Sequence, residues 1–353
     1  VEWCNAAGGI NGKQIELTLY DAAINQYQPE VERACENEFA LVGSGAVQDN
    51  LWPTVGAACG LIDVAAFSVT PEKAGTAGQD IIETRTFRPV PNPSDQYPVA
   101  ANRILLDDFP ESAALTGILS GDLATILVQG EKQTEAVESI GQEVTYTDVY
   151  NLLGEANWTP FASSIRDAEV SFLSFLGEGE NLALLQQALV EVGYEPEVTF
   201  QESNFYAQAY LDAAAGAAEG TFIRVVTWPF EEADQNPATQ LYVETVEESG
   251  GATSGLGVQA TSAWLLFATL AADCDRQDDL TRSCILEGAA ATDEWDGGGL
   301  HTTTDPGANE VPGCNIIMQV QDDAFVRYAP TDADYACPDD AVVDLVGDYS
   351  SSG

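Results

Sequence analysis

A strand, a glycine-rich loop and a helix recur in order along this chain, and that repeat constrains the fold more than any other feature. Val170–Leu176 reads as a strand, Gly177-Glu178-Gly179-Glu180 follows as a loop, and Asn181 stands as the N-cap of a helix. Leu182, Leu185, Leu189 and Val192 share one face of that helix, and Gly193 marks its stop. The same pattern runs over Phe39–Ala58, with Ser44-Gly45-Ala46-Val47-Gln48-Asp49-Asn50 as the loop. Ile15–Tyr20, Ile62–Phe67, Leu115–Leu119, Val144–Tyr150 and Thr221–Val226 also read as strands, with helical spacing between many of them. Strands separated by helices pair in parallel, so the chain is α/β, and ligands of such sheets bind at the loops on the strands' carboxyl ends.

At 353 residues the chain exceeds one ordinary core and fits two domains. Pro89, Pro91 and Pro93 hold their neighbours extended, which predicts a linker over Arg88–Pro93. Val226–Phe230 is a second candidate crossing, followed by helices over Asn236–Glu248 and Gln259–Ala272. Beyond Trp295 the short runs Asn315–Val320 and Ala324–Tyr328 predict an antiparallel tail held by Cys314 and Cys337, with the last dozen residues loose.

Twelve basic residues against 57 acidic ones leave a formal charge of −45, which excludes a nucleic-acid binder or a polybasic membrane-surface protein. Self-repulsion of this size is screened at high ionic strength, so a high-salt habitat and an acidic secreted protein from an ordinary one are both open readings. No run of about 18 consecutive apolar residues occurs. The sequence starts at Val1 without an export signal or lipid-attachment cysteine, so any signal or anchor is expected outside it. Seven cysteines without a C-x-x-C favour disulfides over zinc, hence an oxidising compartment.

Catalytic patterns are lacking. His301, the only histidine, sits in Gly297-Gly298-Gly299-Leu300-His301-Thr302 with no nucleophile elbow, and no H-E-x-x-H, P-loop or complete G-x-G-x-x-G is present. The reading is a non-enzyme without a cofactor. Asp273-Cys274-Asp275 and Asp332-Ala333-Asp334 lack the glycine and distal glutamate of an EF-hand loop, so they read as solvated acidic loops. A structural or calcium-bound surface protein stays as an alternative.

An ordered series of motifs carries a resemblance. Asn5-Ala6-Ala7-Gly8-Gly9-Ile10-Asn11-Gly12-Lys13 comes first, then the strand ending Tyr20-Asp21, Ala40-Leu41-Val42-Gly43 and Ser68-Val69-Thr70-Pro71. Trp158-Thr159-Pro160-Phe161 with Ile165-Arg166-Asp167, and Ala217-Ala218-Glu219-Gly220, follow. The series resembles the type I periplasmic, or extracellular, solute-binding proteins of the branched-chain amino acid kind over roughly residues 5–270.

The resemblance implies two doubly wound, flavodoxin-like parallel-sheet lobes joined by a multi-strand hinge, closing on a small ligand and delivering it to an ABC permease. The expected division is 1–88 with 227–295 as the first lobe and 91–226 with 296–345 as the second, with hinge segments near 88–93, 225–230 and 295–300. It also implies an extracellular or periplasmic place, with lipid anchoring through a segment outside the sequence, and leaves a sensory ligand-binding lobe as an alternative. Family members open with a further, central strand and most of a helix, of which only Val1–Asn5 corresponds here. Either that first strand is supplied elsewhere or the lobe is built differently.

Residue by residue, Ser68 and Thr70 match positions that hold an amino acid head group. Val47 stands where relatives often carry a serine, which puts a standard branched-chain ligand in doubt and leaves Gln48 and Asn50 as substitute amide donors. Glu202 is similar in position to the acid that receives the ligand ammonium, and Glu178 with Glu180 is the runner-up pair. Tyr150, with Tyr206 and Leu256, is placed to line the pocket. Under this topology Cys4 is left over, and the expected bridges are Cys35–Cys59, Cys274–Cys284 and Cys314–Cys337.

Overall fold

The computed structural model describes residues 1–349 and separates into two compact units. The first comprises Val1–Gln96 and Leu256–Pro312, the second Tyr97–Gly255 and Gly313–Tyr349. This differs from the expected division at three segments, the first being residues 91–96, which fall in the first unit. Residues 227–255 join the second unit because Phe230 stacks on Tyr206 at 4.6 Å and on Tyr242 at 5.7 Å, which anchors the helix Pro237–Glu248 there. Residues 296–312 join the first, where Thr304 bonds the Pro89 carbonyl and Asn309 bonds Arg88. Arg88 is buried within the first unit rather than exposed in a linker.

The first unit holds a short parallel sheet of β1 (Leu41–Val42), β2 (Asp63–Val64) and β3 (Thr86–Phe87), in that order. Ile62, Val64 and Phe87 pack against Ala263, Leu266 and Leu270 of the helix Gly255–Arg276. That helix is long and apolar enough to cross a bilayer by length and composition, but its apolar face is spent on this core. Ile15–Tyr20 forms no strand, contrary to its periodicity. Among the described residues it finds no strand to pair with, Leu17 and Leu19 stay exposed, and a groove of about 770 Å³ lies between it and the β1 segment. The helix predicted after the 44–50 loop is instead a 3-10 turn, Asp49–Thr54. Pro53 lies inside it and cannot donate an i→i−4 hydrogen bond.

After β4 (Gln96–Pro98), the second unit carries β5 (Thr116–Gly121), β6 (Val144–Tyr150), β7 (Phe172–Leu176), β8 (Val198–Gln201), β9 (Phe222–Val225), β10 (Ile316–Gln321) and β11 (Ala324–Ala329). These seven from β5 onward form one sheet in the order β11-β10-β9-β8-β7-β5-β6. It is parallel from β9 to β6, and β10 pairs antiparallel with both β9 and β11, as the tail pattern predicts. Interior strand β5 is buried along its whole length, whereas its edge neighbour β6 alternates, as a strand half open to water should. β12 (Val342–Asp344) pairs with β4 within the stretch expected to be loose, of which residues 350–353 lie outside the described residues.

Leu182, Leu185 and Leu189 are buried in the main core, as their spacing predicts. Their helix runs Gly179–Glu191 with Glu178 at the N-cap, so Asn181 is not the cap. Its side chain donates instead to the Leu152 carbonyl at 2.9 Å. The three bridges Cys35–Cys59, Cys274–Cys284 and Cys314–Cys337 are formed, and Cys4 is a free, partly buried thiol.

Candidate ligand-binding site

In the first unit the loops that follow β1 and β2 are tied together by one acid. Asp49 is fully buried, and its two carboxylate oxygens accept the backbone N–H groups of Val69 and Thr70, each at 2.9 Å. Burial raises the Asp49 pKa, while Lys73 and these hydrogen bonds pull it down. Thr70 is therefore fixed by its backbone. It is the N-cap of the short helix Pro71–Ala74, yet its side chain caps nothing. The hydroxyl is buried without a well-directed hydrogen bond, though close enough to Asp49 to lower that group's pKa.

Ser68 is buried, and its hydroxyl oxygen accepts from Arg88 Nη1 at 2.6 Å, which leaves the hydroxyl proton to donate. Arg88 also bonds the Ala74 carbonyl and Asn309 Oδ1, both at 2.7 Å. Burial lowers its pKa to about 10 against the opposing pull of Asp49 and Asp63, so the guanidinium stays charged at neutral pH. Gln48, in the loop, and Asn50, in the 3-10 turn after it, are partly buried, and among the described residues no side-chain hydrogen bond holds either.

Beneath these loops lies an ion pair that composition and motif analysis missed. Lys73 Nζ meets Asp63 Oδ2 at 2.7 Å with both side chains fully buried, and Ser44 Oγ donates to the same carboxylate at 2.7 and 2.8 Å. Burial works against the Lys73 ammonium, but Asp63, Tyr27 and Asp49 outweigh it and raise the pKa. The loops after β1 and β2 are thus joined twice, at Asp49 and at Ser44-Asp63-Lys73.

In the second unit Glu202 follows β8 and stands at the N-cap of a 3-10 turn, Ser203–Phe205. Oε2 is paired with Arg224 at 2.7 Å, while Oε1 is buried without a partner. Its charge is already matched, a partner the sequence reading did not foresee. Glu178 and Glu180 are exposed at the start of their helix, where water and the helix dipole account for them. Tyr150 is 1% exposed, stacks on Phe175 at 4.7 Å and donates to the Leu176 carbonyl at 3.1 Å. It is a wall of the core, as is Tyr206. Gly177 beside it is required, because a Cβ there would run into the Tyr150 hydroxyl.

His301 is held in the first unit. Ser262 Oγ and His301 Nε2 are 2.8 Å apart, Nδ1 lies 2.7 Å from the Thr302 carbonyl, and Trp295 Nε1 donates to Ser262 Oγ at 2.8 Å. Because the carbonyl can only accept, Nδ1 carries the proton and Nε2 accepts from Ser262. Ser262 and His301 are at most 2% exposed, so this serine–histidine pair meets no substrate and belongs to the core.

Each of the two units is α/β and carries polar side chains in loops that follow its parallel strands. The sequence profile of the periplasmic binding protein family matches residues 1–324, and the chain belongs to that family. Members of the family bind small solutes, work with ABC transporters, are generally extracellular or periplasmic, and are not enzymes. No curated protein matches the chain. Among solved structures, it is similar to a leucine binding protein LivK from Thermotoga maritima at 15% identity, with 92% of this chain and 90% of that one covered and a TM-score of 0.72. A periplasmic binding protein type 1 from Bordetella pertussis matches at 17% identity, with 93% and 92% covered and a TM-score of 0.73. A fatty acid ABC transporter substrate-binding protein from Thermomonospora curvata matches at 14% identity, with 96% and 85% covered and a TM-score of 0.74. At these identities the likeness shows the fold alone.

Proposed function

We propose that this chain is the receptor of an ABC importer for a small polar solute, an amino acid or amide. Ser68 and Thr70 donate to the ligand's acceptor end, Gln48 and Asn50 offer amide groups beside them, and Glu202 accepts from its N–H end. The observation that carries the reading is Thr70, a buried hydroxyl fixed by two Asp49 bonds to the backbone and unused by the helix it precedes. The three disulfides support an oxidising location outside the cytoplasm, where a receptor meets its solute before delivery to a permease.

The test is the double variant Thr70→Ala with Glu202→Gln. Calorimetric binding of the amino acid or amide taken up by the parent should fall at least 100-fold, with far-UV circular dichroism unchanged. Binding at parental affinity by the folded double variant overturns the site assignment.

A further inference from the structure

Next to Glu202 the second unit holds a partly open cavity of about 40 Å³. It is bordered by Gln133 of the helix Ala124–Ser139, Ser174 of β7, Gln201 at the end of β8, and Glu202 and Asn204 beyond it. A space of this size admits one or two groups as large as water. Its polar wall is under-satisfied. Gln133 and Gln201 are each 2% exposed, and Gln133 Oε1, both amide atoms of Gln201 and Glu202 Oε1 are buried with no hydrogen-bond partner among the described residues. A buried acceptor without a donor is unfavourable, so an apolar occupant would leave several such groups unsatisfied together.

The charge at this corner selects further. Arg224 holds Glu202 through Oε2, at 2.7 Å from Nη2 and 2.9 Å from Nε, so the carboxylate is neutralised while Oε1 stays free to accept. A second cation at Oε1 would face Arg224, whereas a neutral N–H group would not.

We infer that this cavity is a subsite for a neutral N–H-bearing end group, the NH₂ of a primary carboxamide or of urea. Its hydrogens go to Glu202 Oε1 and Gln133 Oε1, with the Ser174 hydroxyl and the Gln201 amide completing a polar wall. The inference rests on the receptor reading and narrows it, from amino acid or amide to a ligand ending in an amide. A hydrocarbon end such as that of leucine is disfavoured, since it brings no hydrogen to either acceptor.

Calorimetry on the full chain in high salt, with urea, acetamide, glutamine and leucine as probes, tests it. Urea, acetamide or glutamine is expected to bind, and Gln133→Met to weaken that binding about tenfold or more while circular dichroism stays parental. If Gln133→Met does not fold, Ser174→Ala is the second variant, with weakening of the amide probe expected there too. Amide binding that neither folded variant alters means that the cavity holds only water, and overturns the subsite. Binding of leucine alone overturns the subsite and leaves the receptor reading intact. If none of the four probes binds, both fail.

Discussion

Lys73→Met should destabilise the first unit by about 3–5 kcal/mol, because it leaves the Asp63 carboxylate charged and unpaired in the core. Asp63 keeps only the Ser44 hydroxyl in that variant, one hydrogen against a fully buried charge. Removing both partners, Lys73→Met with Asp63→Leu, should recover most of the loss, since a well-packed apolar pair of similar volume is often as stable as a buried ion pair. Denaturant unfolding in high salt reads both outcomes. A single variant as stable as the parent would show that the pair is not buried as described. The pair also has a bearing on binding. It joins the loop of Ser44 and Asn50 to the helix that follows Thr70, so the recovered double variant should keep its stability and lose ligand affinity.

Acid should cost the fold about 3 kcal/mol through His301 alone. Burial lowers the imidazole pKa to about 4, against the pull of its Thr302 bond and of Asp296, while an unfolded histidine titrates near 6.5. The unfolded chain therefore takes up the proton first. The stability held by the neutral ring is whole above about pH 6.5 and drains away as the pH falls towards 4. The Ser262 contact gives the same sign, because Nε2 must be unprotonated to accept. Unfolding free energy measured from pH 7 to 4 should drop more steeply in the parent than in His301→Gln, and parallel slopes would contradict the buried neutral ring. The exposed carboxylates titrate alike in both proteins and cancel from the difference.

Much of the second unit could be read from the sequence, because its elements are long enough for their periodicity to speak. Val144–Tyr150 is a strand at its predicted bounds, the face of the helix at 179–191 is legible from leucine spacing, and the stretch read as helical from Asn236 to Glu248 is a helix over 237–248. Ile15–Tyr20 fails as a strand because a strand is a property of two chains, and its own alternation cannot say whether a neighbour is there to pair. Asn181 misleads as a cap because its amide finds a carbonyl 29 residues away.

At the site, the loops were legible and their couplings were not. Ser68, Thr70 and Glu202 are candidates through the family resemblance, and each lies in a loop that follows a strand. Asp49, Asp63 and Lys73 could not, since two buried acids among 57 look like surface acids, and their partners lie 10 to 21 residues away along the chain. Arg88 reads as the start of a proline linker and turns out to be a buried clamp on Ser68. Gln133 carries no signal in the sequence, and only the packed structure shows its side-chain carbonyl buried without a partner among the described residues.

Thermal unfolding of the full chain in high salt, with and without amino acids, urea, short amides and calcium, tests the receptor reading most directly. A solute held by the folded state should stabilise it by about 2.7 kcal/mol at one hundred times its dissociation constant, and the rise should appear with amides or amino acids. An unfolding temperature unmoved by every polar solute and raised by calcium alone would contradict the receptor reading.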